Sequence, residues 1–381
     1  MAVPRRITVG LMSTAITRSS LFAILAAGVL AASCSGTSGK GDFTEITSTV
    51  ESFIADQNLE GAGLIIVERD DGVVYHEHFG TFTEDRVSMV ASSSKMISAG
   101  VLLTLEEQGL LDMNAPIEGQ VDWAVGNPDI TPAQLVSNSS GLVGLGPDLL
   151  YGPYSCQWGE EGSLQECGET IFTSKIDDGN QIPPDTQFRY GGAQWQVAGA
   201  VAEAVSGKSW EQLIDEIYVK PCGTDSLGYV SLGSLFDVAF GYPTAFGGDP
   251  SNVPDSANPN IEAGVHISTG DYGKLLLIHL RGGACGDNQV LSQASLDTMY
   301  ADRIAAAYDG NASGPTVGYG MGWWIDRDTE RISDGGAWGA LPWLDLDDGY
   351  GAYIVLEDDT QTGQRLKSEI EDLVHRAVTG S

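Results

Sequence analysis

The sequence predicts an α+β fold in which one antiparallel sheet is flanked by helices and a helical lobe is inserted. Apolar runs of strand length cluster at the two ends of the 381-residue chain. Helical periodicities and long loops fill the stretch between them. Each end also carries an amphipathic helical segment, placed to cover the sheet. The chain is long enough for a sizeable core, 42% of it is hydrophobic, and it has no internal repeat.

Taken in order, residues 1–33 stand apart. Arg5 and Arg6 precede the apolar run "LFAILAAGVLAAS" and then Cys34. A basic start, a short apolar run and small residues predict an export signal, and the run is short for a membrane span. "LAASC" resembles a lipobox, which makes Cys34 a candidate for lipidation, although Ala31 stands where Leu is usual. Residues 34–42 then form a flexible tether, and 43–381 the folded domain.

Phe43, Ile46, Val50, Phe53 and Ile54 have helical spacing and predict a first helix over 43–59. "AGLIIVER" and "GVVYHEHFG" flank Asp-Asp-Gly and predict a hairpin, with "RVSMV" (86–90) as a third short strand. "SSSKMISAGVLLTLEEQGLLD" (92–112) predicts a helix with serines at its start and Gly109 at its end. The α/β lobe so begun spans 43–111 and resumes at 261–381.

The helical lobe is expected over 112–260. Pro132 opens a short helix in "TPAQLVSN". Small-residue helices follow over 193–207 and 209–223, after a loop-rich stretch at 146–188. A Leu-rich helix is expected over 270–283. Strands then return in "GYGMGWWID", "ERISDGG", "PWLDLD" and "GAYIVLED", and an amphipathic helix over 363–378 ends the chain.

Charge and cysteines narrow the classes of function. The net charge is −33, with seven Lys in all, and the first 33 residues hold three Arg and no acid. Such a surface repels nucleic acid and anionic lipid, so no nucleic-acid partner is expected and any membrane contact runs through a lipid anchor. Besides Cys34 there are Cys156, Cys167, Cys222 and Cys285. In an exported chain they suggest disulfides with three possible connectivities. Cys156–Cys167 with Cys222–Cys285 is favoured, the first pair being local to one loop. The five His are scattered, and no Cys/His cluster suggests a metal or cofactor. "DLDDG" (345–349) lacks the full spacing of a Ca²⁺ loop and reads as a solvated turn.

Chemistry points to one short stretch. Ser92 and Lys95 stand three residues apart, so on a helix they share a face. A lysine can take a serine's proton if burial or nearby positive charge lowers its pKa. A backbone N–H at a helix start is free to hold an oxyanion. Ser-x-x-Lys occurs only here, yet alone the spacing is weak, since an N-cap serine and a surface lysine would give it too. Ser93 and Ser94 have no lysine three residues on and read as caps or packing.

Five blocks in order raise its weight. "ASSSKMISA", "GLLDMNAPI", "ITPAQLVSNSSGL", "FRYGGAQWQVAGAVAEAVSGKSW" and "AGVHISTGDYGKLLL" resemble, over most of 43–378, the serine β-lactamase and penicillin-binding-protein superfamily. The group containing class C β-lactamases, DD-peptidases and related esterases is the most similar. The resemblance implies a β-lactamase/transpeptidase-like fold, with Ser92 as the acylated nucleophile and Lys95 as its base. It implies that Tyr190 shares the proton transfer and that Ala337 supplies the second oxyanion N–H. Gly192, Asp334, Gly335 and Gly336 fall on substrate-binding motifs.

Two of these depart from the pattern. Gly192 stands where the family has Asn, and Asp334 where it has Lys or His. An aspartate facing the substrate would repel the carboxylate of penicillins and D-Ala-D-Ala peptides. A serine hydrolase acting on small neutral acyl esters or amides, without cofactor, is therefore expected. A β-lactamase or DD-carboxypeptidase, and an inactive binding lipoprotein, are the alternatives. Trp323, Trp324, Trp338 and Trp343 are candidates for an apolar acyl pocket or for core packing.

Overall fold

A computed structural model describes residues 41–127, 129–145, 151–174, 180–233, 235, 241–304 and 315–380. The stretch read as an export signal, Cys34 and nearly all of the expected tether lie outside the described residues.

The main sheet has seven strands in the order β2-β1-β12-β11-β10-β9-β8, every pair antiparallel. β1 (Gly61–Glu68) and β2 (Gly72–Gly80) form the expected hairpin. β8 (Val317–Tyr319), β9 (Trp324–Asp326), β10 (Ile332–Ser333), β11 (Ala340–Asp345) and β12 (Tyr350–Val355) come from the other end of the chain. The two ends meet where Leu64 of β1 faces Ile354 of β12.

Alternation along these strands fills two cores. Ile65 and Val67 of β1, with Tyr353 and Val355 of β12, face one side. Ala62, Leu64 and Ile66, with Ala352 and Ile354, face the other. Both sides are covered, so both strands are apolar throughout. α1 (Thr44–Gln57) and α10 (Thr360–Thr379) cover the second face, through Ile46, Val50, Leu366 and Ile370. The first face packs on α8 (Thr269–Leu280), and the same core continues beyond it through α2 (Lys95–Glu107) and α5 (Ala193–Ser206), which pack on each other.

The "RVSMV" strand is not part of that sheet. β3 (Val87–Met89) joins β4 (Gly228–Tyr229) and β5 (Val265–Ser268) in a separate three-stranded sheet, ordered β3-β5-β4. Val90 N donates to Val265 O at 3.0 Å, which carries this pairing up to the serine triplet. β4 also makes the stretch 112–260 less than all-helical. Its helices are α3 (Pro132–Val136), α4 (Leu164–Thr173), α5, α6 (Trp210–Ile214) and α7 (Lys220–Cys222), the last two joined by a π turn at Asp215–Val219. β6 (Ala284–Cys285) and β7 (Asn288–Gln289) pair with each other in a short antiparallel hairpin, and α9 (Gln293–Tyr300) then precedes β8. Pro132 and the Thr131–Gln134 capping box open α3.

Both favoured disulfides are present. Cα atoms are 5.6 Å apart in Cys156–Cys167 and 5.5 Å apart in Cys222–Cys285.

Candidate active site

The serine triplet lies in a 3₁₀ turn, Ala91–Ser94, that runs into α2. In a 3₁₀ turn residues i and i+3 eclipse, which stacks Lys95 beside Ser92 more closely than an α-helix would. Ala91 enters the turn with φ +46, a left-handed conformation unfavourable for alanine. The surroundings hold it there. Ser93 Oγ donates to Asp334 O at 2.6 Å and lies 3.0 Å from Ala340 O. Ser94 Oγ donates to Ala91 O at 2.6 Å and accepts from Val265 N at 3.1 Å. Tyr272 Oη donates to Ser93 O at 2.9 Å.

The three serines therefore separate by role. Ser93 and Ser94 are buried and bind the turn to two sheets, while Ser92 is partly exposed. Lys95 Nζ donates to Ser92 Oγ at 3.0 Å.

Lys95 is fully buried, and one acid answers its charge. Glu262 Oε2 lies 2.9 Å from Nζ, and Nζ also donates to Glu262 O at 3.3 Å. Glu262 is itself 3% exposed. It sits in the turn before β5, held to α2 by Ser98 Oγ donating to Ile261 O (2.7 Å) and to α5 through Ile261 N donating to Gln196 Oε1 (3.2 Å). Burial alone would push the Lys95 pKa down, as the sequence reading expected. The carboxylate of Glu262, followed by Tyr190 and Asp334, outweighs it and holds Lys95 above the usual lysine range. The ammonium form, donating to Ser92, is thus the favoured resting state of Lys95, and the lowered pKa that the sequence reading named as the condition for a lysine base is not met at rest.

Spacing did not point to Glu262. Its signal is a lone acid inside the apolar run "NIEAGVHIS", and it answers the oddity at Gly192. A Cβ placed on Gly192 would sit 1.9 Å from Glu262 Oε1 and 2.6 Å from Gln157 Oε1. Gly192 has an ordinary helical φ of −78, so space and not backbone conformation requires glycine there.

Tyr190 closes the other side of Lys95, with Nζ 4.7 Å from its ring centroid. Desolvation pushes the phenol pKa up, while the Lys95 charge and a hydrogen bond with Ser92 pull it down. Its segment is fixed from behind. Leu145 N donates to Tyr190 O at 2.8 Å, and Asn138 Oδ1 accepts from Gln194 Nε2 (2.8 Å) and Trp195 Nε1 (3.3 Å). The "SNSSGL" block and the Tyr190 block thus lock together. Phe188, Tyr190, Tyr319 and Trp324 form an aromatic wall, with Trp324 stacked on Tyr190 at 5.4 Å.

Of the four candidate tryptophans, Trp324 belongs to this wall. Trp323, Trp338 and Trp343 are core residues; Trp338 packs with Met89, Ala91 and Phe246.

The expectation that Asp334 faces the substrate is corrected. The residue is fully buried, and Oδ2 accepts from Met96 N at 3.4 Å. Desolvation pushes its carboxyl well above the usual carboxylate range, against the Lys95 charge. A buried acid whose charged form is disfavoured, and which does not face the cleft, repels a substrate carboxylate less than an exposed carboxylate would. The position still offers no cation to attract one. Gly336 packs against the nucleophile turn, since a Cβ there would meet Val90 O at 2.0 Å. Gly336 N is already used by Ala340 O (2.7 Å), and Ala337, partly exposed, follows it in the turn.

This arrangement has known relatives. The beta-lactamase family profile matches residues 46–375. The chain belongs to the beta-lactamase family. Penicillin-binding protein 4 of Amycolatopsis lactamdurans is 24% identical over 324 residues, covering 79% of this chain and 81% of its own. A putative beta-lactamase from Bacteroides dorei DSM 17855 superposes with TM-score 0.67 at 24% identity, over 88% of this chain and 99% of its own. EstCE1, described as a hydrolase with promiscuous acyltransferase activity, gives TM-score 0.68 at 18% identity, over 87% and 97%. The family is one of serine hydrolases, and the fold is the β-lactamase/transpeptidase-like one.

Proposed function

We propose that this beta-lactamase-family chain is an esterase or amidase that forms an acyl ester on Ser92 and takes small neutral acyl substrates. The contact that carries the reading is Lys95 Nζ at 3.0 Å from the one partly exposed serine of the triplet. Once Lys95 is in its free-amine form, Ser92 Oγ attacks the substrate carbonyl as its proton passes to that amine, with Tyr190 placed to return a proton to the leaving group. The backbone N–H groups of Ser92 and Ala337 hold the oxyanion. Water then releases the acyl group.

The neutral-substrate preference rests on Asp334, which removes the cation that a substrate carboxylate would use. The aromatic wall favours an apolar or aryl acyl group. A second reading, action on β-lactams or peptidoglycan peptides, is favoured by the name of the Amycolatopsis relative. We further propose that the chain is exported and anchored through Cys34. Among the described residues, no helix is long and apolar enough to cross a membrane.

The test uses the mature protein, from about residue 42, with p-nitrophenyl butyrate. Nitrophenol release and intact mass are followed together. A burst with an acyl mass increment, both absent in Ser92→Ala, is expected, with at least a 10³-fold loss of turnover in that variant. Nitrocefin hydrolysis faster than ester hydrolysis would favour the β-lactam reading. Equal behaviour of wild type and Ser92→Ala on every substrate would leave a binding protein.

A further inference from the structure

We propose that Glu262 is a positioning residue for Ser92: its carboxylate, seated in the space left by Gly192, holds Lys95 and accepts one of its protons when the lysine takes the serine's. The inference rests on the reading of Ser92 as nucleophile. Three observations carry it. Glu262 Oε2 is 2.9 Å from Lys95 Nζ, and among the described residues no other donor reaches it, so Lys95 is the one group placed to give it a proton. Both groups are buried, and a buried ion pair is the arrangement in which proton transfer to a neutral amine and acid costs least relative to water. Gly192 cannot carry a side chain while Oε1 occupies its place.

An ammonium ion cannot act as a base. When substrate excludes water, the N–H bond of Lys95 breaks and an O–H bond forms on Glu262 Oε2. The free amine then takes the Ser92 proton as the Oγ–C bond forms and the carbonyl π pair moves to oxygen. On collapse, Lys95 gives that proton to the leaving group, directly or through Tyr190. Glu262 then returns its own proton to Lys95. Protons and charge balance over the cycle. The other titratable groups facing the pair are Tyr190, Tyr319 and Asp334, and burial raises the pKa of each.

A lysine and carboxylate that share one proton hold the reactive form over a wide pH range. A lone buried lysine reaches it only above its own midpoint. Ser92 reactivity is therefore measured from about pH 5 to 10 with a fluorophosphonate probe, which loses fluoride as the serine Oγ–P bond forms. Wild type is expected to be flat through neutrality. Glu262→Gln, nearly isosteric, is expected to fall about tenfold per pH unit below the Lys95 midpoint and to approach wild type in alkali. Gly192→Ala, whose Cβ displaces the carboxylate without removing it, is expected to bend the profile the same way. In parallel, the Lys95 Cε resonance is titrated by NMR, with a lower midpoint expected in both variants. Parallel profiles, whether from a uniform loss or no loss, would overturn the proposal and leave Glu262 a structural partner. So would an unmoved Lys95 midpoint. If Ser92 accepts no probe at any pH in the wild type, the hydrolase reading falls, and the NMR titration still decides whether Glu262 holds Lys95.

Discussion

Two segments bring a carboxyl group to Lys95, and they treat it in opposite ways. The turn before β5 presents Glu262 Oε2 at 2.9 Å as an ion pair. The segment after β10 brings Asp334 beneath the nucleophile turn, where its carboxyl accepts from Met96 N and has no ion pair among the described residues. Both are buried, but only Glu262 has the cation in contact. Desolvation therefore dominates at Asp334 and pushes it toward the neutral form. A carboxylate buried beside a partner works on that partner's charge, whereas one buried without contact mostly loses its own.

The largest expected effect is on the pair itself. Glu262→Ala strands the Lys95 ammonium in the core and should lower stability by about 3–5 kcal/mol, read as a drop in the urea midpoint. A loss below about 1 kcal/mol would mean that solvent reaches Lys95 and would erase the contrast with Asp334.

The second effect concerns pH and has the opposite sign. Burial raises the folded pKa of Asp334, so as pH rises above the ordinary value the folded chain holds this proton longer than the unfolded chain does. Its contribution is full below the ordinary value of 3.8 and is lost as pH rises above that toward the folded value. Asp334→Asn escapes this loss. It should be more stable than wild type at neutral pH, by about 1–2 kcal/mol, and equal to it near pH 4. Urea titrations at the two pH values check this. A destabilised Asn variant at neutral pH would show that Asp334 works as a carboxylate.

The smallest effect falls on the aromatic wall of Phe188, Tyr190, Tyr319 and Trp324. Trp324→Ala should raise KM for aryl esters about tenfold and leave acetate esters nearly unchanged. Equal effects on both would move the acyl group away from the wall.

Much of the site was legible because its parts are local. Ser92 and Lys95 are three residues apart, and helical geometry of either pitch brings them together. Tyr190 and the "SNSSGL" block were legible through resemblance. Glu262 was not, because it reaches Lys95 across 167 residues, and no local period encodes that meeting. Its trace was split between an acid in an apolar run and a glycine elsewhere. Asp334 was placed at the correct station but turned toward substrate, since position in a motif does not state which way a side chain faces.

The sequence by itself determined the strand runs at both ends, the covering helices, the serine–lysine spacing and the family. These depend on short-range periodicity and on the order of blocks along the chain. Only the tertiary structure decided that "RVSMV" pairs with β5, that three of four tryptophans are core, and that Lys95 is charged. Strand partners, burial and the net sign of a pKa shift are sums over contacts between distant segments, so they exist only once the chain has packed.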